Sequence, residues 1–276
     1  SSEYTLKSTF THFKINRNRI LPLGTPKSDI LYLNSADKNH EFIDINCKDY
    51  YDSNKIKILF LPTWRQNKYF NIFDDKFNYA ELDDFLISCN AILGFNFHPT
   101  TVNKNIELDL NKFTSIKIFN SLGDEMNHLL SITDILITDY SSLYADFLIY
   151  NRPIIFAKFD HENYIKEIDL FVDYDKDLPG QKVNNWHELL GAIKELLINN
   201  NDSYVKHRNY LHKKIYTNLD GNATGRTTPF FLPSPTIKSS SSSTSSILLF
   251  SFVPVKSSPR SESSISDGLN TSNFCL

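Results

Sequence analysis

The sequence lacks several features that would fix its class at once. Its cysteines, Cys47, Cys89 and Cys275, are only three and widely separated. Such a set makes neither a disulfide framework nor a metal cluster, and it points to a reducing compartment. Charge of one sign is lacking too: a net charge of −3 gives no electrostatic footprint for nucleic acid, which is not expected as a partner. No apolar run approaches the ~20 residues needed to span a bilayer. Ser1-Ser2-Glu3-Tyr4-Thr5 has no charged leader before an apolar stretch, so no secretory signal is expected. A starting methionine is missing as well, which suggests that upstream residues have been lost. The carboxylates Asp160, Asp169, Asp173 and Asp175 fit no EF-hand or other ligand spacing, so neither metal nor cofactor is expected. What is present is ordinary for a soluble globular protein, 41% hydrophobic and 22% charged, and 276 residues suffice for one large or two modest domains.

The chain is organised around Ser131 to Phe156, SITDILITDYSSLYADFLIYNRPIIF. Ile135-Leu136-Ile137-Thr138 is short and apolar enough for a buried strand. The polar turn Asp139-Tyr140-Ser141-Ser142 follows, then Leu143, Phe147 and Leu148 at helical spacing, then the strand-like Ile154-Ile155-Phe156. Strand, tight turn, helix and strand make the βαβ unit of a parallel sheet, in which ligands sit beyond the carboxyl ends of the strands. Hydroxyls at the opening of a helix suit a phosphate, because the free N–H groups and the helix dipole favour an anion there. Ser141 and Ser142 serve equally well as plain helix caps, and the residues alone leave both readings open.

Elsewhere the chain alternates strand and helix. Ile20 to Asp29 reads as a short strand ending in a Gly/Pro turn, and residues 36 to 55 as a charged loop. Ile56 to Leu61 is a buried strand stopped by Pro62-Thr63-Trp64-Arg65, residue types suited to lining a site or, for the tryptophan, to packing. Tyr69, Phe70, Phe73, Phe77 and Tyr79 lie in a predicted loop over the strand ends. The spacing predicts a helix over 81–93 capped by Gly94, with Cys89 as a core thiol on its apolar face. Phe95-Asn96-Phe97 is the next strand, and His98-Pro99 at its end places an imidazole where it can meet a phosphate or move a proton, while a lone histidine is more often a structural residue and that reading stays open. Ile116 to Phe119 is a strand and Met126 to Ile132 a helix. After Phe156 the chain reads as a solvated loop closed by the turn Asp177-Leu178-Pro179-Gly180. Asn185 to Leu197 is a helix opened by a capping box of Asn185 and Glu188. Residues 203 to 216 form a basic, aromatic helix, a solvated face or a contact for anionic lipid. From Thr227 onward the proline- and serine-rich composition cannot support a packed core. The expected class is therefore α/β with a Rossmann-like parallel sheet.

Six motifs in order resemble the CDP-glycerol glycerophosphotransferase family of teichoic acid and capsule polyol-phosphate transferases. They are LGTPKSD at 23–29, ILFLPTWR at 58–65, FHP at 97–99, DILITDYSSLYADF at 134–147, RPIIF at 152–156 and GNATGR at 221–226. The resemblance implies the donor (C-terminal) domain of a GT-B fold with most of the N-terminal acceptor domain missing. Residues 1–50 would be a remnant of that domain and a linker, 51–226 the nucleotide-binding domain, and 227–276 a disordered tail. It implies that Ser141 and Ser142 bind the donor pyrophosphate, with Tyr140 and Pro99 beside them, and that His98 assists departure of CMP. It further implies Asp146 at the ribose hydroxyls and Thr63 and Arg65 at the cleft mouth, Arg65 suiting a phosphate by its forked donors. The implied reaction moves glycerol phosphate or another polyol phosphate from a CDP carrier to a hydroxyl of a lipid-linked polymer. That would occur in the cytoplasm at the inner face of the bacterial membrane, with peripheral membrane contact. The family's His-Gly motif, the source of its general base, has no counterpart in this sequence. Two alternatives stay open, a nucleotide-binding fragment without turnover and a GT-B glycosyltransferase using a UDP-sugar.

Overall fold

The short apolar runs become the strands of one parallel sheet. A computed structural model describes residues 2, 21–34, 50–51, 54–63, 72–74, 76–97, 112–119, 124–167, 169–170, 173–231 and 255–256. The sheet contains β1 (Ile56–Leu61), β2 (Ala91–Asn96), β3 (Ile116–Phe119), β4 (Ile135–Thr138), β5 (Ile154–Ala157) and β6 (Gln181–Val183). Their spatial order is β3-β2-β1-β4-β5-β6, every neighbouring pair parallel. This is the Rossmann order, in which the direction of winding reverses between β1 and β4.

Both faces of the sheet are buried, which is why its strands are continuously apolar rather than alternating. On one face Ile58, Phe60, Phe95, Ile137 and Ile155 pack against α2 (Tyr79–Ser88) and α7 (Trp186–Leu197). On the other face Leu59, Leu61, Leu136, Ile154 and Phe156 meet side chains of α1 (Pro26–Asn34), α3 (Asp124–Ile132) and α4 (Leu143–Phe147). Helix α4 continues as a 3-10 turn, Leu148–Tyr150, and α8 (Val205–Ile215) closes that side through Leu211 and Ile215. Phe73, Phe77 and Tyr79, three of the aromatics expected in a covering loop, are buried around Trp186. Tyr69 and Phe70 lie outside the described residues.

Four elements differ from the sequence reading. Helix α2 stops at Ser88, not Leu93: Asn90 takes a left-handed φ of 50° and redirects the chain straight into β2. Ile92, Leu93 and Gly94 are therefore strand residues, and Cys89 is a partly buried helix cap rather than a core thiol. The strand expected from Ile20 does not form over the described residues 21–25; Pro26, in the expected Gly/Pro turn, opens helix α1, where its missing N–H costs nothing, and Thr25 accepts from the Ser28 N–H. The stretch after β5 is not one loop. It folds into α5 (His161–Glu167) and α6 (Tyr174–Asp177), pinned by buried Tyr164 and Tyr174 and by Asp173 capping α6 at the Lys176 N–H. Last, α9 (Ala223–Phe231) carries ordered chain past residue 226 and buries Thr227, and Val255–Lys256 pairs antiparallel with Asp169–Leu170.

The first and last of the six motifs meet. Asp29, in α1, accepts from the N–H groups of Ala223 and Thr224 (2.9 and 2.8 Å) and from the Thr224 hydroxyl (2.9 Å), so it caps α9 from nearly two hundred residues away. Arg226 returns the contact by donating to the Leu23 carbonyl at 2.8 Å. Gly24 is required between them: its φ is +91°, and a Cβ there would sit 2.8 Å from the Ala223 Cβ. Asp29→Ala is expected to lower stability by about 1–2 kcal/mol, the upper range for a lost helix cap. Urea unfolding followed by circular dichroism checks this; an unchanged midpoint would show that the clasp contributes nothing.

Candidate functional site

At the winding reversal, the carboxyl ends of β1 and β4 lie side by side, with Leu61 opposite Thr138. The residues just beyond these ends form the candidate site. After β1 the chain reaches Thr63, and after β4 it turns through Asp139-Tyr140-Ser141-Ser142 into α4. Asp139 ties the two ends together. Its Oδ1 accepts from the Thr63 N–H at 2.8 Å, from the Thr63 hydroxyl and from the Tyr140 N–H at 2.6 Å. Its carbonyl accepts from the Tyr174 hydroxyl at 3.0 Å, and the residue is 2% exposed. Thr138 adds a cross-strand bond, its hydroxyl donating to the Leu61 carbonyl at 2.8 Å.

The serines of the turn are not used alike. Ser141 Oγ accepts from the Leu143 N–H at 3.2 Å, so it serves in part as a cap. Ser142 occupies the N-cap position of α4 but makes no side-chain capping bond, and it is exposed. Tyr140, expected beside the ligand, is instead committed to the interior. Its ring is buried and stacks on Tyr164 with centroids 3.8 Å apart, and its hydroxyl donates to Asp160 at 3.1 Å. The tyrosine therefore anchors the turn, leaving the serines as its outward-facing polar groups.

Asp146 lies one turn into α4. Its Oδ2 accepts from Lys27 Nζ of α1 at 2.8 Å. Burial pushes its carboxyl above the usual range, and the Lys27 ammonium opposes that push. Below it Tyr150 donates to the Leu31 carbonyl and Tyr216 to the Ala145 carbonyl, at 3.0 and 2.8 Å. Burial raises both phenols, so they are neutral hydrogen-bond donors at physiological pH. Arg152, of the RPIIF motif, is structural: it donates to the Ser131 and Thr133 carbonyls at 2.7 and 2.6 Å and fixes the entry to β5.

The structure thus brings Thr63, Ser141, Ser142 and Asp146 to one end of the sheet. Arg65, His98 and Pro99, and also Trp64, lie outside the described residues. Asp139 and Lys27 escaped the sequence reading. An acidic residue directly after a buried strand is a usable signal for Asp139, whereas Lys27 gives none, since its partner is 119 residues away. Among the described residues no group of three histidine, cysteine or acidic side chains could hold a metal ion, and no helix is long and apolar enough to cross a membrane.

Comparison with known proteins gives the family. Residues 1–230 match the sequence profile of CDP-Glycerol:Poly(glycerophosphate) glycerophosphotransferase. The chain belongs to this family. It is 30% identical over 199 residues to the teichoic acid ribitol-phosphate polymerase TarL of Staphylococcus aureus, covering 70% of this chain and 34% of that protein. To the teichoic acid glycerol-phosphate transferase of the same organism it is 30% identical over 224 residues, covering 78% of this chain and 54% of that one. Among solved structures, that of the wall teichoic acid polymerase TagF soaked with CDPG matches with a TM-score of 0.67 and 26% identity, over 83% of this chain and 55% of that chain. The family member described here therefore spans between a third and a little over half of these relatives.

Proposed function

We propose that this chain is the donor-binding domain of a polyol-phosphate transferase. It binds CDP-glycerol or a similar CDP-polyol and presents the polyol phosphate to a hydroxyl of a growing teichoic acid or capsular polymer. The observation that carries this reading is the Ser141-Ser142 turn at the β1/β4 reversal, where open α/β sheets bind ligands, in a chain of this family. Ser141, Ser142 and the N–H groups beside them hold the pyrophosphate, and Asp146 accepts from the ribose hydroxyls. Thr63 lies at the cleft mouth. His98, followed by the rigid Pro99, and Arg65 contact the phosphates. In the reaction the acceptor oxygen bonds to the polyol phosphorus while the bond to the bridging oxygen breaks, and CMP departs with the charge. Such transfer depends on positioning and charge stabilisation, which suits a site rich in donors. The acceptor is lipid-linked, and contact with the inner face of the membrane is peripheral.

One observation favours a second reading, donor binding without turnover. No His-Gly pair occurs in the 276 residues, so the acceptor proton has no assigned base. Binding is therefore the test. Calorimetric titration is expected to give tighter binding of CDP than of UDP. The Ser141→Ala, Ser142→Ala double variant should lose about tenfold or more, the worth of one charge-assisted hydrogen bond. Equal affinity for UDP would favour a UDP-sugar transferase. No binding to a folded chain would refute the donor site.

A further inference from the structure

We infer that Lys27 is a positioning residue of the donor site: its ammonium holds one oxygen of Asp146 and leaves the other to accept from the ribose. The inference rests on the donor-site reading of Asp146 given above. Lys27 Nζ lies 2.8 Å from Asp146 Oδ2, and among the described residues Asp146 Oδ1 has no hydrogen-bond partner. A carboxylate with one oxygen fixed by a cation and the other open is oriented as an acceptor for a neutral hydroxyl.

Lys27 is itself held. It occupies the first turn of α1, whose start is fixed by Thr25 and Ser28. The same helix is fixed to α9 through Asp29 and to the turn after α4 by the Tyr150 hydroxyl on the Leu31 carbonyl. The cation thus comes from a segment that precedes the sheet, and it reaches the donor helix across a long stretch of sequence.

The groups around Asp146 explain why a cation is needed. Lys27 faces it from α1, Tyr150 from the 3-10 turn and Tyr216 from the end of α8. The phenols are neutral, so Lys27 alone among these favours the ionised carboxyl, against burial that favours the protonated one. Removing the ammonium moves protonation of Asp146 to higher pH. A protonated carboxyl is a poorer acceptor, so donor binding becomes acid-sensitive: weak at low pH and restored as the pH rises and the carboxylate forms.

The test is calorimetric titration of the whole chain with CDP over a pH series from acid to alkaline. Lys27→Met is expected to bind about tenfold more weakly at the acid end and to recover toward the alkaline end. Lys27→Arg should behave nearly as the parent. Asp146→Asn should bind weakly at every pH, and adding Lys27→Met to it should change nothing further. A uniform loss in Lys27→Met at all pH values, or no loss, overturns the inference while Asp146→Asn still reports on the donor site. If Asp146→Asn itself leaves CDP binding intact, the ribose role fails first and this inference fails with it. Thermal unfolding of each variant separates a misfolded protein from a mispositioned carboxylate, and Lys27→Arg keeps the test open should Lys27→Met not fold.

Discussion

Asp139→Ala should unfold at markedly lower denaturant than the parent and should not bind CDP. The side chain accepts from two backbone N–H groups and one hydroxyl in a site 2% exposed to solvent. Without it those donors lose this acceptor where water has little access, and each buried donor left unpaired costs about 1–3 kcal/mol. A total near 3 kcal/mol is expected, allowing for some relaxation into the vacated space. The binding loss has a separate cause. Asp139 makes the end of β1 and the serine turn one rigid unit, and a phosphate cradle displaced by even a fraction of an ångström loses its aligned donors. Asp139→Asn keeps one acceptor oxygen and should fall between the two. Urea unfolding by tryptophan fluorescence gives the first quantity and calorimetry the second. Full CDP affinity in a stable Asp139→Ala variant would mean that the two strand ends need no tether.

The second large effect lies on the other side of the sheet. Trp186→Ala should cost about 3–5 kcal/mol, the range for removing a buried large aromatic. The indole is 2% exposed and donates its Nε1–H to the Ile72 carbonyl at 2.9 Å. Around it are Phe77 and Tyr79 from the segment before β2, with centroids 5.3 and 5.2 Å away, Phe60 and Phe95 from β1 and β2, and Phe159 after β5. One side chain therefore joins α7, the sheet and the aromatic segment, and its loss leaves a void that several elements must share. Trp186→Phe refills most of the volume but leaves the Ile72 carbonyl without its donor, so a cost of about 1–2 kcal/mol is expected. Guanidinium unfolding of both variants, followed by circular dichroism, measures the difference. Equal stabilities of the alanine variant and the parent would sink the idea that this cluster holds the covering segment.

Much of the architecture was legible because the strands of a doubly covered sheet have to be apolar throughout. Ile56–Leu61, Ile116–Phe119 and Ile135–Thr138 stood out for that reason, as did the capping box Asn185/Glu188, which the structure forms with the Glu188 N–H on Asn185 at 2.9 Å. The errors came where local signals compete. In ISCNAILGF the apolar residues fit a helical stripe and a buried strand equally well, and the break at Asn90 depends on a left-handed φ that asparagine tolerates but does not announce. Helices α5 and α6 were missed because their stability comes from Tyr164 and Tyr174 packing on Tyr140, not from their own periodicity.

For the site, sequence alone determined the parts: a strand, the Tyr-Ser-Ser turn and a helix, in the order a phosphate-binding βαβ unit requires. Local chemistry suffices there, since capping and strand propensity act over a few residues. Only the tertiary structure decided that β1 lies beside β4, so that Thr63 and Asp139 share a hydrogen bond across 76 residues. It alone turned Tyr140 inward, paired Lys27 with Asp146 and joined the first motif to the last through Asp29. Those contacts depend on which strands become neighbours. Burial of whole faces chooses that arrangement, and no short window of sequence contains it.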